Sequence, residues 1–276
     1  MTFAPTTTMN DGREIPVIGF GVWQVPDDVV VDAALAALQC GYRHIDTAYL
    51  YLNERGVGEA LRRSGVDRND VFITTKVWNT DHGYDETLRA FDKSTGLLGI
   101  DEVDLYLIHW PTPARDIYLD SWRALIRLRE EGRARSIGVS NFHEAHLRKI
   151  IDETGVIPAI NQIELHPWLP QAHMRDVDTR LGIRTEAWSP LGSGRLIDDL
   201  VIAEVARKHG KTTAQVMVRW SLQLGNIVLP KSVTPARIAE NIDVFDFELD
   251  DADMAAIASL DSGRRTGPNP DDFNEA

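Results

Sequence analysis

The sequence predicts an α/β protein: one barrel of eight parallel strands, with an N-terminal β-hairpin and a short C-terminal tail. Strand-like and helix-like segments alternate along the 276 residues, and no linker rich in Gly, Ser or Pro divides them. This alternation requires a parallel sheet with helices outside it, either doubly wound or closed. Eight units in a domain of about 250 residues favour the closed TIM barrel. We therefore expect a single barrel domain over residues 1–276.

Each element has a local justification. Asn10-Asp11-Gly12 predicts a hairpin turn, followed by a short strand at 17–19 and a loop at 19–23. Short apolar or alternating runs predict the other strands at 43–46, 71–76, 103–109, 136–140, 159–163, 184–188 and 227–230. Apolar residues at helical spacing predict helices at 29–38, 53–63, 84–98, 119–131, 144–154, 174–181, 202–208, 213–222, 235–242 and 250–260. Asn53 is expected to cap the second helix, and the polar tail at 263–276 to be mobile or draped over the surface.

Composition and charge narrow the class of protein. No apolar run reaches the roughly 18 residues of a membrane span, and the N-terminus lacks a signal pattern, so we expect a cytoplasmic protein without membrane contact. The single cysteine, Cys40, excludes an intramolecular disulfide and a cysteine-rich metal site. A formal net charge of -13 argues against nucleic acid as the main partner.

Polar side chains occur where seven of the predicted strands end. They are Asp46, Lys76, His109, Ser140-Asn141, Gln162-Glu164, Trp188-Ser189 and Lys231-Ser232. Singly, each has a structural explanation, since Asp46 could form a turn, Lys76 could be solvated and His109 could be a core histidine. In a parallel barrel, however, all these strand ends meet at the rim that carries activity. Their common position favours an active site, to which Tyr51, in the loop after Asp46, would belong.

Three long segments resemble signatures of the aldo-keto reductase family. They are Gly-Tyr-Arg-His-Ile-Asp-Thr-Ala through Asn-Glu at 41–54, Asp-Leu-Tyr-Leu-Ile-His-Trp-Pro at 104–111, and Leu-Pro-Lys-Ser through Arg-Ile-Ala-Glu-Asn at 229–241. The chain is most similar to the bacterial group that includes 2,5-diketo-D-gluconic acid reductases. The resemblance implies NADPH-dependent reduction of aldehydes or ketones, such as dicarbonyls, keto-sugars and aromatic aldehydes. It also implies a monomer that uses no metal and no Gly-x-Gly-x-x-Gly loop.

The resemblance further implies four catalytic residues. Reduction of a carbonyl requires a hydride, which the nicotinamide supplies, and a proton, which the protein supplies. Tyr51 matches the proton donor, Lys76 the cation that stabilises its phenolate, and Asp46 the carboxylate that pairs with the lysine. His109 matches the residue that orients the substrate carbonyl.

A second set of residues is implied to bind NADPH. Trp188 matches the aromatic that stacks on the nicotinamide, and Ser140, Asn141 and Gln162 match the contacts to its carboxamide. Lys231, Ser232 and Arg237 match the site for the 2′-phosphate, beside a helix that begins at Pro235. The remaining expected cofactor contacts are Ser189, Leu191, Gly192, Val233, Glu240 and Asn241.

The substrate pocket is less determined by the sequence. By family position, Trp23, Tyr49, Trp78 and Trp110 should wall an apolar cleft, although core packing is an alternative for Trp78 and Trp110. The loop after Pro111 and the tail are both short, which suggests an open cleft.

Two rival functions remain on the same barrel. A cofactor-sensing regulatory subunit would need only the cofactor residues, so the full acid, cation, carboxylate and histidine set argues against it. An isomerase or aldolase would predict a phosphate loop after the last strands and no need for Trp188.

Overall fold

The computed structural model describes residues 3–275, and eight parallel strands form its centre. An antiparallel hairpin precedes them, with β1 at Thr6–Thr8 and β2 at Glu14–Pro16. The barrel strands are β3 Phe20–Gly21, β4 His44–Asp46, β5 Phe72–Val77, β6 Val103–Ile108, β7 Ala134–Ser140, β8 Ile160–Glu164, β9 Arg184–Trp188 and β10 Ile227–Leu229. Each pairs in parallel with the next, in sequence order. The predicted fold class is confirmed.

Helices follow the strands and form the outer layer. They are α1 Asp27–Cys40, α2 Glu54–Ser64, α3 Tyr84–Leu98, α4 Tyr118–Glu130, α5 Glu144–Thr154, α6 Ala172–Leu181, α7 Leu200–His209, α8 Thr213–Gln223, α9 Pro235–Ile242 and α10 Asp251–Ala258. No predicted helix bound is off by more than two residues. Among the described residues, no helix is long and apolar enough to cross a membrane.

The first barrel strand lies later in the chain than predicted. It is β3, inside the segment 19–23 that we expected to be a loop, and Phe20 pairs with Ile45 of β4. The predicted strand at 17–19 contributes only a bridge between Ile18 and Val228 of β10, which closes the barrel. Strands in a barrel are staggered, so one segment meets its two neighbours at different heights. The sequence pattern does not show this stagger.

Asn53 occupies the position before α2, but its side chain does not cap the helix. Its Nδ2 instead donates to the carbonyl oxygens of Val22 and Val25, each at 2.9 Å. Its Oδ1 accepts from Thr47 Oγ1 at 2.8 Å. The expected capping role was therefore wrong, and this buried amide ties the loop after β3 to the loop after β4.

Close packing between α2 and α3 gives a test of stability. A Cβ on Gly58 would lie 2.1 Å from the carbonyl oxygen of Leu98, which is backbone and cannot rotate away. We expect Gly58→Ala to lower the free energy of unfolding by about 1–3 kcal/mol through overpacking. Gly96→Ala is the matched control, because a Cβ there meets nothing within 4 Å and Ala favours the helix by roughly 0.8–1 kcal/mol. Urea unfolding of both variants measures the change in the free energy of unfolding. An equal change in Gly58→Ala and Gly96→Ala would contradict the prediction.

Candidate active site

The carboxyl ends of the barrel strands open into a cavity of about 790 Å³. Most of the residues predicted for the site line it: Trp23, Asp46, Tyr51, Trp78, His109, Trp110, Ser140, Asn141, Gln162, Trp188, Ser189, Leu191, Lys231, Ser232, Arg237, Glu240 and Asn241. Residues that are distant in sequence thus converge on one rim, as parallel strand order requires.

A buried ion pair lies beneath the wall of the cavity. Lys76, on β5, is fully buried, and its Nζ donates to Asp46 Oδ1 at 2.7 Å and to the carbonyl oxygen of Thr47 at 2.9 Å. The same Nζ lies 3.4 Å from the hydroxyl of Tyr51, in the short 3₁₀ turn Tyr49–Tyr51. The phenol is therefore held between the cavity and a fixed positive charge.

Burial and charge set the protonation states of this group. Burial raises the pKa of Tyr51 to about 12, and the nearby Lys76 opposes this without overcoming it. Burial acts to lower the pKa of Lys76, but Asp46 and Tyr51 outweigh it and the pKa is raised. Near neutral pH the phenol keeps its proton and the lysine keeps its charge.

His109 follows β6 and lies beside the phenol. Its ring meets the rings of Tyr51 and Trp78 edge-on, with centroids 5.6 Å and 5.1 Å away. Burial, together with Lys76, holds the pKa of His109 well below its usual range. A neutral imidazole can orient a carbonyl through a hydrogen bond but is a poor proton donor. The geometry therefore favours Tyr51 as the acid.

A group of amide, hydroxyl and indole side chains lies at the carboxyl ends of β7, β8 and β9. Trp188 Nε1 donates to Asn141 Oδ1 at 2.9 Å, which fixes the indole in the wall of the cavity. Asn141 has a left-handed backbone with φ 63° and donates to the carbonyl oxygen of His109 at 3.0 Å. Ser140 Oγ donates to the carbonyl oxygen of Gln162 at 2.8 Å. The four predicted nicotinamide contacts therefore form one connected wall.

Two cationic side chains also line the cavity. They belong to Lys231 and Arg237, and within residues 3–275 neither forms an ion pair. The helix α9 begins beside them with Pro235 at its first position, so its free N–H groups and its dipole also favour an anion. This arrangement fits a phosphate group.

The C-terminal tail lies across the aromatic side of the cavity. Phe273 packs against Trp110 and Trp78, with ring centroids 4.5 Å and 6.5 Å apart. Asn274 and Glu275 accept hydrogen bonds from the backbone N–H of residue 114 and the side chain of residue 79, at 2.8 Å and 2.7 Å. The expectation of an open cleft therefore fails on this side, because the short tail covers it.

A buried carboxylate anchors the start of the tail. Glu164, at the end of β8, accepts hydrogen bonds from the Thr266 hydroxyl at 2.7 Å and from His166 at 3.0 Å. Asp271 pairs with His143 at 2.9 Å further along. The tail is thus held at both ends rather than loosely draped.

Comparison with known proteins identifies the family. Residues 17–262 match the sequence model of a family that is described as the Aldo/keto reductase family. The chain belongs to the aldo-keto reductase family. An aldo-keto reductase of Mycolicibacterium smegmatis is 58% identical over 271 residues, covering 98% of both chains. The methylglyoxal reductase DkgA of Escherichia coli is 50% identical over 267 residues, covering 96% of both.

Two solved structures share the whole fold. An aldo/keto reductase from Brucella melitensis has a TM-score of 0.92 and 54% identity, covering 95% of this chain and 99% of that one. A mutant of Gox0644 in complex with NADPH has a TM-score of 0.95 and 48% identity, covering 99% of both chains.

Four residues predicted for the aldo-keto reductase site do not line the cavity: Lys76, which is buried beneath its wall, and Tyr49, Gly192 and Val233. The ring of Tyr49 lies 5.9 Å from Lys93 Nζ, and its neighbour Leu50 lines the cavity instead. In a 3₁₀ turn, adjacent side chains point in different directions, and the sequence does not show which one faces inward.

Several lining residues were missed by the sequence interpretation. They are Gly21, Gln24, Leu50, Pro190, Ser193, Gly194, Ile197, Thr212, Thr213, Ala214, Leu229, Thr266, Gly267, Pro268, Phe273 and Glu275. Most lie outside the strand ends on which the prediction relied. One signal was available, because Phe273 is the only aromatic residue in a polar tail.

Proposed function

We propose that this aldo-keto reductase uses NADPH to reduce small carbonyl compounds, with Tyr51 as the proton donor. The observation that carries the proposal is the phenol held 3.4 Å from the buried Lys76 Nζ, in the wall of a cavity that aromatic and cationic side chains line. A pure cofactor sensor would need the cationic side chains but not this buried acid and ion pair.

The lining residues fit NADPH. The cations Lys231 and Arg237, which form no ion pair within residues 3–275, suit its 2′-phosphate, and the fixed indole of Trp188 suits a flat ring. Gln162 uses Nε2 to donate to the carboxyl groups of Asp46 and Glu186, so its oxygen Oε1 is left as an acceptor for a carboxamide N–H. When bound, NADPH supplies a hydride to the carbonyl carbon.

The protein supplies the proton and the orientation. His109 would hold the carbonyl oxygen near the Tyr51 hydroxyl, and Tyr51 would transfer its proton to that oxygen. Lys76 then stabilises the phenolate that remains, while Asp46 holds the ammonium in place. The tail and the tryptophans limit the access of water to the reacting atoms.

For the substrate, we propose dicarbonyls, keto-sugars and aromatic aldehydes. The aromatic wall formed by Trp23, Trp78, Trp110 and Phe273 supports apolar or planar groups beside the carbonyl. The similarity to a protein named methylglyoxal reductase supports a small dicarbonyl. Trp23 lines the cavity and is 48% exposed, so it can contact both the substrate and solvent.

We also propose that the enzyme is a cytoplasmic monomer. Sedimentation of the purified protein over a range of concentrations tests the oligomeric state, and fractionation of cells tests the location.

The function itself is tested by mixing the protein with NADPH and a panel of methylglyoxal, keto-sugars and aromatic aldehydes. We expect the near-ultraviolet absorbance of NADPH to fall and the alcohol to accumulate in equal amount. Binding of NADPH without turnover of any carbonyl would favour the regulatory alternative.

The preference for NADPH over NADH gives a sharper prediction. Arg can grip a phosphate with two parallel hydrogen bonds, and Arg237 is exposed to the cavity without a partner carboxylate among residues 3–275. We expect Arg237→Met to weaken NADPH binding roughly ten- to a hundredfold, as loss of a charge-assisted hydrogen bond implies. NADH lacks the 2′-phosphate and serves as the control.

Quenching of tryptophan fluorescence measures both affinities. The loss for NADPH should shrink as salt is raised, because the interaction is between charges at an accessible site. Equal losses for NADPH and NADH would show that Arg237 is structural and that the 2′-phosphate binds elsewhere.

A further inference from the structure

A second buried carboxyl lies next to the catalytic ion pair. Glu186, on β9 two residues before Trp188, is fully buried, and its Oε2 accepts from Gln162 Nε2 at 2.6 Å. The same Nε2 donates to Asp46 Oδ2 at 2.9 Å. Gln162 lines the cavity, so one amide joins Glu186, the Lys76–Asp46 pair and the expected position of the nicotinamide.

The other oxygen of Glu186 faces a buried histidine. Glu186 Oε1 and His44 Nδ1 lie 3.9 Å apart, and neither atom forms a hydrogen bond with another described residue. His44 Nε2 is engaged with Thr74 Oγ1 at 2.9 Å. Unpaired polar atoms that are fully buried are uncommon, and a proton could be carried by either of these two.

Burial decides where that proton lies. Burial raises the pKa of Glu186 to about 8, and the nearby Asp46 adds to the effect. Burial lowers the pKa of His44 to about 3, so this histidine is neutral. Asp46 has Lys76 as its cation, but Glu186 has no cation of its own among the described residues except a histidine that stays neutral. Near neutral pH the proton therefore lies on the carboxyl.

We propose that Glu186 is a positioning residue that acts through Gln162 and sets the charge beside the nicotinamide: uncharged it favours NADPH, and ionised it favours NADP⁺. This inference rests on the proposed function. The nicotinamide ring is neutral in NADPH and positive in NADP⁺, so a carboxylate behind Gln162 stabilises only the oxidised cofactor. An uncharged carboxyl keeps the reduced cofactor bound and favours reduction.

Three other titratable groups of the site keep one charge state over the pH range, around 8, in which Glu186 titrates. Lys76 stays charged because its pKa is raised, chiefly by Asp46 acting against the effect of burial. Tyr51 stays neutral because burial raises its pKa to about 12. His109 stays neutral because burial lowers its pKa. A change in cofactor preference over this range therefore reports on Glu186.

The test measures the dissociation constants of NADP⁺ and NADPH against pH, by tryptophan quenching, in the wild-type protein and in Glu186→Gln. The 2′-phosphate is common to both cofactors, so its titration cancels in their ratio. In the wild type we expect the ratio Kd(NADP⁺)/Kd(NADPH) to fall on the order of tenfold as pH rises, as expected for one nearby charge of low exposure. In Glu186→Gln, which keeps the size and the hydrogen bonding of the side chain, the ratio should stay flat.

Asp178→Asn is the matched control. Asp178, on α6, is also buried, and burial raises its pKa to about 7, but its partners are Asn161 and Thr185 rather than Gln162. Its removal should leave the pH dependence of the ratio as in the wild type. A ratio that is flat in the wild type, or that still falls in Glu186→Gln, would overturn the inference.

Two further outcomes are distinguishable. If Glu186→Gln does not fold, the wild-type protein still tests the inference. A ratio Kd(NADP⁺)/Kd(NADPH) that does not change with pH in the wild type is enough to overturn it. If neither cofactor binds to the wild-type protein, the proposed function fails and not merely the role of Glu186.

Discussion

Replacing Tyr51 with Phe should lower the turnover of carbonyl substrates by about two to four orders of magnitude, the usual effect of removing a general acid. The contacts of Tyr51 predict that this substitution changes few other properties of the protein. The Tyr51 hydroxyl has one protein partner within residues 3–275, Lys76 Nζ at 3.4 Å, and the ring keeps its edge-on contact with His109. NADPH affinity and stability should therefore change little.

Single-turnover oxidation of bound NADPH by a reactive aldehyde measures the effect directly. Tyr84→Phe is the control, because Tyr84 is exposed at the start of α3 and does not line the cavity. Retention of more than half of the wild-type rate in Tyr51→Phe would show that another group, with His109 as the first candidate, gives the proton.

Lys76→Met should damage turnover to a similar extent, for a different reason. Without the ammonium, the phenolate that forms on proton transfer has no cation beside it. The substitution also leaves Asp46 buried and unpaired, which costs about 3–5 kcal/mol of stability when one partner of a buried pair is removed. A loss of activity alone would therefore not separate chemistry from unfolding.

The double variant Lys76→Met, Asp46→Asn separates the two effects. It removes the unpaired carboxylate, so thermal unfolding should show most of the stability restored, while single-turnover rates should stay low. If the single variant kept both the wild-type rate and its dependence on pH, Lys76 would not be coupled to Tyr51. Recovery of the rate in the double variant would mean that the lysine serves folding alone.

Much of the fold could be predicted because it depends on local patterns. Helices α3, α5 and α9 begin and end where apolar spacing and flanking residues place them. The error at β3 arose because only two residues pair with β4 while residue 18 pairs with β10. A segment is assigned as a strand because it pairs with neighbouring strands. For a strand as short as β3, the stagger of the barrel and not the sequence pattern decides which residues pair.

The same division holds for the site. Asp46, Lys76, His109 and Gln162 stand out in the sequence as polar residues at the ends of apolar strands. Strand order then places them at one rim, where Lys76 lies buried behind Asp46. The sequence could not show which of Tyr49 and Leu50 faces the cavity, because both lie in a turn, where side chains do not alternate between two faces as they do in a strand. The covering of the cavity by Phe273 depends on contacts with residues more than 150 positions earlier in the chain.

By itself, the sequence determined the order of the barrel elements, the polar rim and, through three signatures, the family. Those features are encoded within short windows, where periodicity and residue type suffice. The tertiary structure alone decided that the tail covers one side of the cavity, that Asn53 ties two loops together instead of capping a helix, and that Glu186 shares the Gln162 amide with Asp46. These depend on which buried polar groups meet across the barrel, and a buried donor or acceptor takes whatever partner the packed fold places beside it.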